Sequence, residues 1–170
     1  NQSTTGGTRN VTCDAGTSKG EVAAPEYRMT LSGQTSWHAS PIIRDLDGDG
    51  QREIIAAYYS VFVYDSQGKV LAEADGGDGR VYAPHVVADL ENDGIVDIVY
   101  GSDHEVWAYE WNNKALSVKA GWPASTTTGN NPPEVRGMAA GDIDGDGMLE
   151  VVVTTTQTVS AADGGSQVFA

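Results

Sequence analysis

Short apolar runs rich in β-branched and aromatic residues recur along this chain, each bounded by glycine, asparagine, aspartate or proline. Glu53-Ile-Ile-Ala-Ala-Tyr-Tyr59, Asp97-Ile-Val-Tyr100 and Glu150-Val-Val-Val-Thr-Thr-Thr156 form one set. Runs of this kind suit strands. A second set follows at a constant offset: Val61-Phe-Val-Tyr64-Asp65 is answered by Val106-Trp-Ala-Tyr109-Glu110 and, more weakly, by Thr158-Val-Ser-Ala-Ala162. Turn residues come next (Ser66–Gly68, Asn112–Asn113, Gly164–Gly165), and then Lys69-Val-Leu-Ala72, Lys114-Ala-Leu-Ser117 and Gln167-Val-Phe-Ala170. No stretch carries a convincing helical period, so the pattern predicts an all-β chain.

Directly before each run of the first set stands the same nine-residue acidic segment. The copies read Asp45-Leu-Asp47-Gly-Asp49-Gly50-Gln51-Arg-Glu53, Asp89-Leu-Glu91-Asn-Asp93-Gly94-Ile95-Val-Asp97 and Asp142-Ile-Asp144-Gly-Asp146-Gly147-Met148-Leu-Glu150. Acids fill positions 1, 3, 5 and 9, and glycine fills position 6. Alternating acids on a tight turn converge their oxygens, and the glycine permits the left-handed backbone that closes the turn. Position 4 (Gly48, Asn92, Gly145) also holds residue types that tolerate positive φ. Carboxylates crowded in this way repel one another unless a cation intervenes. Flexible all-oxygen coordination suits Ca²⁺ better than Mg²⁺.

The first positions are also those of helical calcium loops, which need a bidentate acid at position 12 and flanking helices. Position 12 here is Ala56, Tyr100 or Val153, inside the apolar runs. The helical modules are therefore excluded. With a strand on either side, the pattern resembles the FG-GAP/VCBS repeat, the calcium-bearing blade of integrin α-subunit β-propellers and of many bacterial secreted proteins. The resemblance covers about residues 38–170 and is specific for fold and metal, not for activity. It implies three Ca²⁺ sites, ligated by the side chains of Asp45, Asp47, Asp49 and Glu53, of Asp89, Glu91, Asp93 and Asp97, and of Asp142, Asp144, Asp146 and Glu150. The main-chain carbonyls of Gln51, Ile95 and Met148 would complete the sets. Glu91 is longer than the usual residue at its position, which marks the second site as the one expected to be weak or distorted.

The loops begin 44 and 53 residues apart, which fits propeller-blade repeats. Each unit reads as a four-stranded antiparallel blade, over about 38–81, 82–136 and 137–170. The additional residues of the second unit fall in Gly121–Pro133, a surface loop by its turn-forming composition. Residues 26–170 are thus expected to form one β domain, with Tyr27–Leu31 as one candidate for an additional strand. Residues 1–25, rich in Ser, Thr, Gly and Ala, read as a flexible arm and a candidate inter-subunit donor. Three blades do not close a ring, since propellers need about four to eight. Open blade faces would then be covered by neighbouring copies, or by the remainder of a larger propeller.

The net charge of −14 excludes nucleic acid as a partner, because such a surface repels phosphates. Half of the 24 acids lie in the three loops, so folding should be linked to the metal. The longest apolar stretch, Ile54–Tyr64, is too short to cross a bilayer. Sites of this type belong where calcium is millimolar, which points to an extracellular address, secreted or at the cell surface. Asn1 and Asn10 begin N-glycosylation sequons, and Thr126–Thr128 are candidates for O-linked sugar. Cys13 is the one cysteine, a candidate for an intermolecular disulfide.

No catalytic constellation is visible. His38, His85 and His104 lack metal-ligand spacing, and the paired acids belong to the loops. Trp107 occupies the slot of Phe62 and should lie in the core, whereas Trp111 and Trp122 flank a turn and a loop and are the candidates for a ligand surface. The expected role is a non-enzymatic, calcium-stabilised extracellular structural or adhesive protein that self-assembles into a filament or oligomer. The alternatives are a propeller module binding a glycan or protein ligand, or an accessory domain of a secreted polysaccharide-degrading enzyme.

Overall fold

The computed structural model describes residues 24–33, 38–77, 79–128, 132–156 and 168–170. Asn1, Asn10, Cys13, Trp37 and the run Thr158–Ala162 lie outside the described residues, as does nearly all of the N-terminal arm. Within them the chain is all-β, with twelve strands in three antiparallel sheets and no helix. No helix among them is long and apolar enough to cross a membrane.

The first sheet runs β1 (Ile42–Arg44), β2 (Glu53–Ala57), β3 (Ser60–Tyr64), β4 (Val70–Asp75), each strand pairing with the next in sequence. The second repeats that order with β5 (Val86–Ala88), β6 (Val96–Ser102), β7 (Glu105–Asn112) and β8 (Ala115–Val118), and adds β9 (Ala124–Ser125) on β7. The third has β10 (Val135–Gly141), β11 (Glu150–Thr155) and β12 (Val168–Phe169). In every sheet the acidic loop joins the first strand to the second.

Period-two alternation builds the core between sheets. Ile98, Tyr100, Tyr109 and Trp111 of the second sheet meet Ile55, Ala57, Val61 and Val63 of the first in one buried cluster. The intervening Val99, Val106 and Ala108 face the other way, onto Val135 and Val153 of the third. The second sheet is therefore the middle layer, apolar on both faces. Gly101 permits close approach on its far side, because a Cβ there would come within 2.7 Å of the Val135 Cβ.

Several expectations need correction. Tyr27–Leu31 forms no strand. Instead Leu31 packs on Ala56, Phe62 and Tyr64, the Tyr64 hydroxyl donates to the Ser32 carbonyl, and Gly33 lies against Phe62. The outer face of the first sheet is thus covered within its own chain, at least at this patch. Gly121–Pro133 is not merely a surface loop. β8 pairs with Tyr109–Asn112, which leaves the edge of β7 at Glu105 and Val106 for β9 to fill. Thr126 is buried beyond it, with its hydroxyl 3.0 Å from the His104 carbonyl and 2.7 Å from that of Pro133, so it is no site for a sugar. In the third unit, Val168 and Phe169 pair directly with β11, whereas β4 and β8 pair with the third strand of their units. An edge strand with unpaired N–H and C=O groups accepts such an addition readily.

Candidate metal centre

Local backbone chemistry shapes each acidic loop. Positions 4 and 6 all have positive φ: Gly48 and Gly50 at 74° and 85°, Asn92 and Gly94 at 57° and 89°, Gly145 and Gly147 at 86° and 91°. No atom lies within 4 Å of where a Cβ would stand on these glycines, so backbone conformation alone calls for them.

The first and third loops share one hydrogen-bond pattern. Asp45 accepts from the amides of Gly48 (2.8 Å) and Gly50 (3.0 Å), as Asp142 does from Gly145 (2.6 Å) and Gly147 (3.2 Å). Asp47 accepts from Asp49 and Asp49 from Gln51, matched by Asp144 with Asp146 and Asp146 with Met148. The position-9 acid reaches back to position 2: Glu53 accepts from the Leu46 amide and Glu150 from that of Ile143. Each acid from position 3 onward takes one amide on one oxygen, leaving lone pairs on the other.

Carboxylate oxygens of Asp45, Asp47 and Glu53 lie within 4.8 Å of one another, as do those of Asp142, Asp144 and Asp146. Oxygen-only donor sets of this charge and spacing fit a hard divalent cation. Gln51 and Met148 place their carbonyls in the same two loops. Lys114 places its Nζ 4.0 Å from Asp47 of the first loop, in a largely exposed pair.

The second loop is built differently. Asp89 accepts from Asp93 (3.0 Å) and Gly94 (2.8 Å), so its first bond comes from position 5 rather than position 4. Asp93 accepts from Ile95, and Asp97 from Leu90 at 3.2 Å. A fourth participant lies beyond the loop. Lys119, just past β8, places its Nζ 2.7 Å from Glu91, 3.0 Å from Asp97 and 3.5 Å from Glu110. Asp97 is fully buried and Lys119 nearly so. Burial works against the Lys119 charge, but the bonds to Glu91 and Asp97 outweigh it and hold the ammonium above its ordinary range. Burial likewise pushes Asp97 up, outweighing Lys119 and the Leu90 amide, which pull it down. We read the pair as ionised, because the ammonium serves Glu91 as well as Asp97. The donor set of the second loop does not fit a divalent cation alongside this ammonium. Within the loop's own nine residues only the extra length of Glu91 signals a partner beyond the loop.

The loops are linked across the sheets. The Leu149 amide donates to the Leu90 carbonyl at 2.8 Å, tying the third loop to the second. Residues 45–48 of the first loop and 94–96 of the second line one polar cavity with the β7–β8 turn.

Of the tryptophans, Trp111 is in the core between the first two sheets, not on a ligand surface. Trp107 is half-buried beside it, its indole N–H donating to Glu105 at 3.1 Å. β7 runs three residues further than β3, so alternation carries Trp111 inward with Trp107 and Tyr109. Trp122 is half-buried in a groove of about 550 Å³ between the second and third sheets, lined also by Leu90, Val106, Met148, Val151 and Val153. His85 is buried beside Tyr100, and burial holds its imidazole down at about 4 against a weaker opposing influence of the Ser40 backbone. It is neutral at neutral pH.

Residues 89–153 match the family model of the FG-GAP-like repeat. The matched span opens on Asp89, position 1 of the second loop, and closes on Val153, position 12 of the third. A search of curated proteins finds no match to the chain.

Proposed function

We propose that this chain, which carries an FG-GAP-like repeat over residues 89–153, is a non-enzymatic, calcium-stabilised extracellular module that serves a structural or adhesive role and assembles with further copies. The observation that carries the reading is the hydrogen-bond pattern that the first and third loops share. Two segments 97 residues apart in sequence adopt the same hydrogen-bond pattern, and each gathers three carboxylates, from positions 1, 3 and 9 in the first loop and 1, 3 and 5 in the third. Repeated construction of that kind serves a ligand common to both. Ca²⁺ answers the hardness, charge and count of the oxygens, with Gln51 and Met148 supplying carbonyls. Open, exposed loops of this type suit the submillimolar to millimolar affinities of extracellular modules. Asp144 and Asp146 are exposed, in keeping with an ion exchanged with the medium.

Assembly is supported by the layering. The first sheet is covered at Phe62 by Leu31 and Gly33, and the second is buried on both faces. Among the described residues the third is the outer layer, with Ala139 and Thr154 exposed and Ile143 protruding beside it. That face is where a neighbouring copy would add.

Thermal melting in calcium and in chelator tests the metal. A midpoint that falls in chelator, by more than equivalent added salt lowers it, is expected; an unchanged midpoint overturns it. Electron microscopy and sedimentation at millimolar calcium test assembly, and a monodisperse monomer at high concentration removes it. A second reading, a module that binds an external ligand, is favoured by the groove at Trp122, whose lining is mainly apolar.

A further inference from the structure

We propose that Lys119 is the built-in cation of the second loop, so that the chain takes two calcium ions, at its first and third loops, and none at the second. The inference rests on the calcium reading of those two loops.

Three observations carry it. The Nζ of Lys119 lies within 3.0 Å of oxygens from loop positions 3 and 9, Glu91 and Asp97, which would otherwise be metal ligands. Glu91 is one methylene longer than the aspartate of the other two loops, and that length is what meets the ammonium. The third observation is register. The Lys119 amide donates to the Ala108 carbonyl at 2.9 Å, continuing the β7–β8 ladder, and Ala108 corresponds to Val63 of the first sheet. Opposite Val63 stands Ala72. One position in the blade thus carries a methyl group in the first sheet and a cationic arm in the second. The arm rises on the same face as Asp97 and Glu110, which pair across β6 and β7.

The ammonium competes with a divalent ion for Glu91 and Asp97, since both Asp97 oxygens are already taken, by Lys119 and the Leu90 amide, and two cations at the buried Asp97 would repel one another. The loop is satisfied by its own chain instead. Because the second sheet is the middle layer, this makes the centre of the array independent of calcium, while the flanking loops respond to it.

Native mass spectrometry of the full chain in calcium counts the ions directly. The expected count is two for the wild type and three for Lys119→Met, which keeps the arm but removes its charge. Three ions on the wild type, or no gain in Lys119→Met, overturns the proposal. No ion on the wild type overturns the calcium reading of the flanking loops, and the count of two with it. Nitrogen-detected NMR of the lysine side chains gives a readout that does not depend on the variant folding. A Lys119 ammonium resonance protected from exchange and unmoved by a calcium titration is expected; one that shifts as calcium is added overturns the assignment.

Discussion

Glu53 accepts a hydrogen bond from the backbone amide of Leu46 at 2.9 Å, so the last acid of the loop is clamped to its second residue. The same clamp joins Glu150 to Ile143 at 2.7 Å and Asp97 to Leu90 at 3.2 Å. It sets the loop's diameter. It also couples the loop to the core, because Leu46 and Leu90 are buried between sheets and the acid is the first residue of β2, or the second of β6. The position-9 acid therefore holds the turn together with or without an ion, and an ion would add to a geometry already prepared.

That dual role separates Glu53→Gln from a purely structural change. Glutamine keeps an acceptor for the Leu46 amide but removes a charge from the proposed ligand set. Glu53→Gln should melt close to the wild type in chelator and clearly below it in calcium, with Glu150→Gln behaving alike. Equal losses in both conditions would make the acid a structural clamp alone.

His85 gives the fold a pH dependence distinct from that of the carboxylates. Its folded value of about 4 lies below the ordinary imidazole value of 6.5. Below about pH 6.5 the unfolded chain gains a proton that the folded chain refuses, so stability falls as pH drops and goes on falling until about pH 4. Between pH 6.5 and 5, above the ordinary carboxylate range, the loss should reach about 1.5 kcal/mol, its slope steepening from about 0.7 toward 1.4 kcal/mol per pH unit. Denaturant melts across that window check it, and His85→Gln should flatten the slope.

Gly101 tests the packing of the middle layer against the third sheet. A methyl group there meets Val135 Cγ1 and Cβ, both in the strand core with little room to retreat. Gly101→Ala should destabilise by about 1–3 kcal/mol, the usual cost of overpacking. Chemical denaturation of the variant and the wild type measures it, and an unchanged stability would mean that the third sheet can shift away from Gly101.

What the sequence showed plainly was what nine residues can encode alone. Acid spacing, the glycines at positive φ and the strand that follows all act within one turn, so the loops and the all-β architecture were legible. Lys119 was not, because it meets Asp97 from 22 residues away, and only after β7 and β8 have folded back. The placement of Trp111 is hidden for a related reason. Its fate depends on how far β7 extends before turning, which the repeat with the shorter β3 understated. β9 answers an edge left open by β8, a shortage that no local pattern announces.

The contact between Tyr64 and Ser32 decides whether the N-terminal segment belongs to its own first sheet. Tyr64 is fully buried, its hydroxyl donates to the Ser32 carbonyl, and Leu31 and Gly33 flank it against Phe62. Tyr64→Phe leaves the ring in place and removes one hydrogen bond, so it should cost about 1 kcal/mol of global stability. Its local effect should be larger than its global one. Residues 24–33 form no ladder with the sheet and are held by side chains and this bond, so losing it should free them before the sheets open. Limited proteolysis should then cut Tyr64→Phe near Arg28 well before the wild type, while amide exchange in β2 and β3 stays unchanged. If cleavage near Arg28 is equally fast in both, the segment is not anchored at Tyr64, and the outer face of the first sheet is free to receive a neighbouring copy.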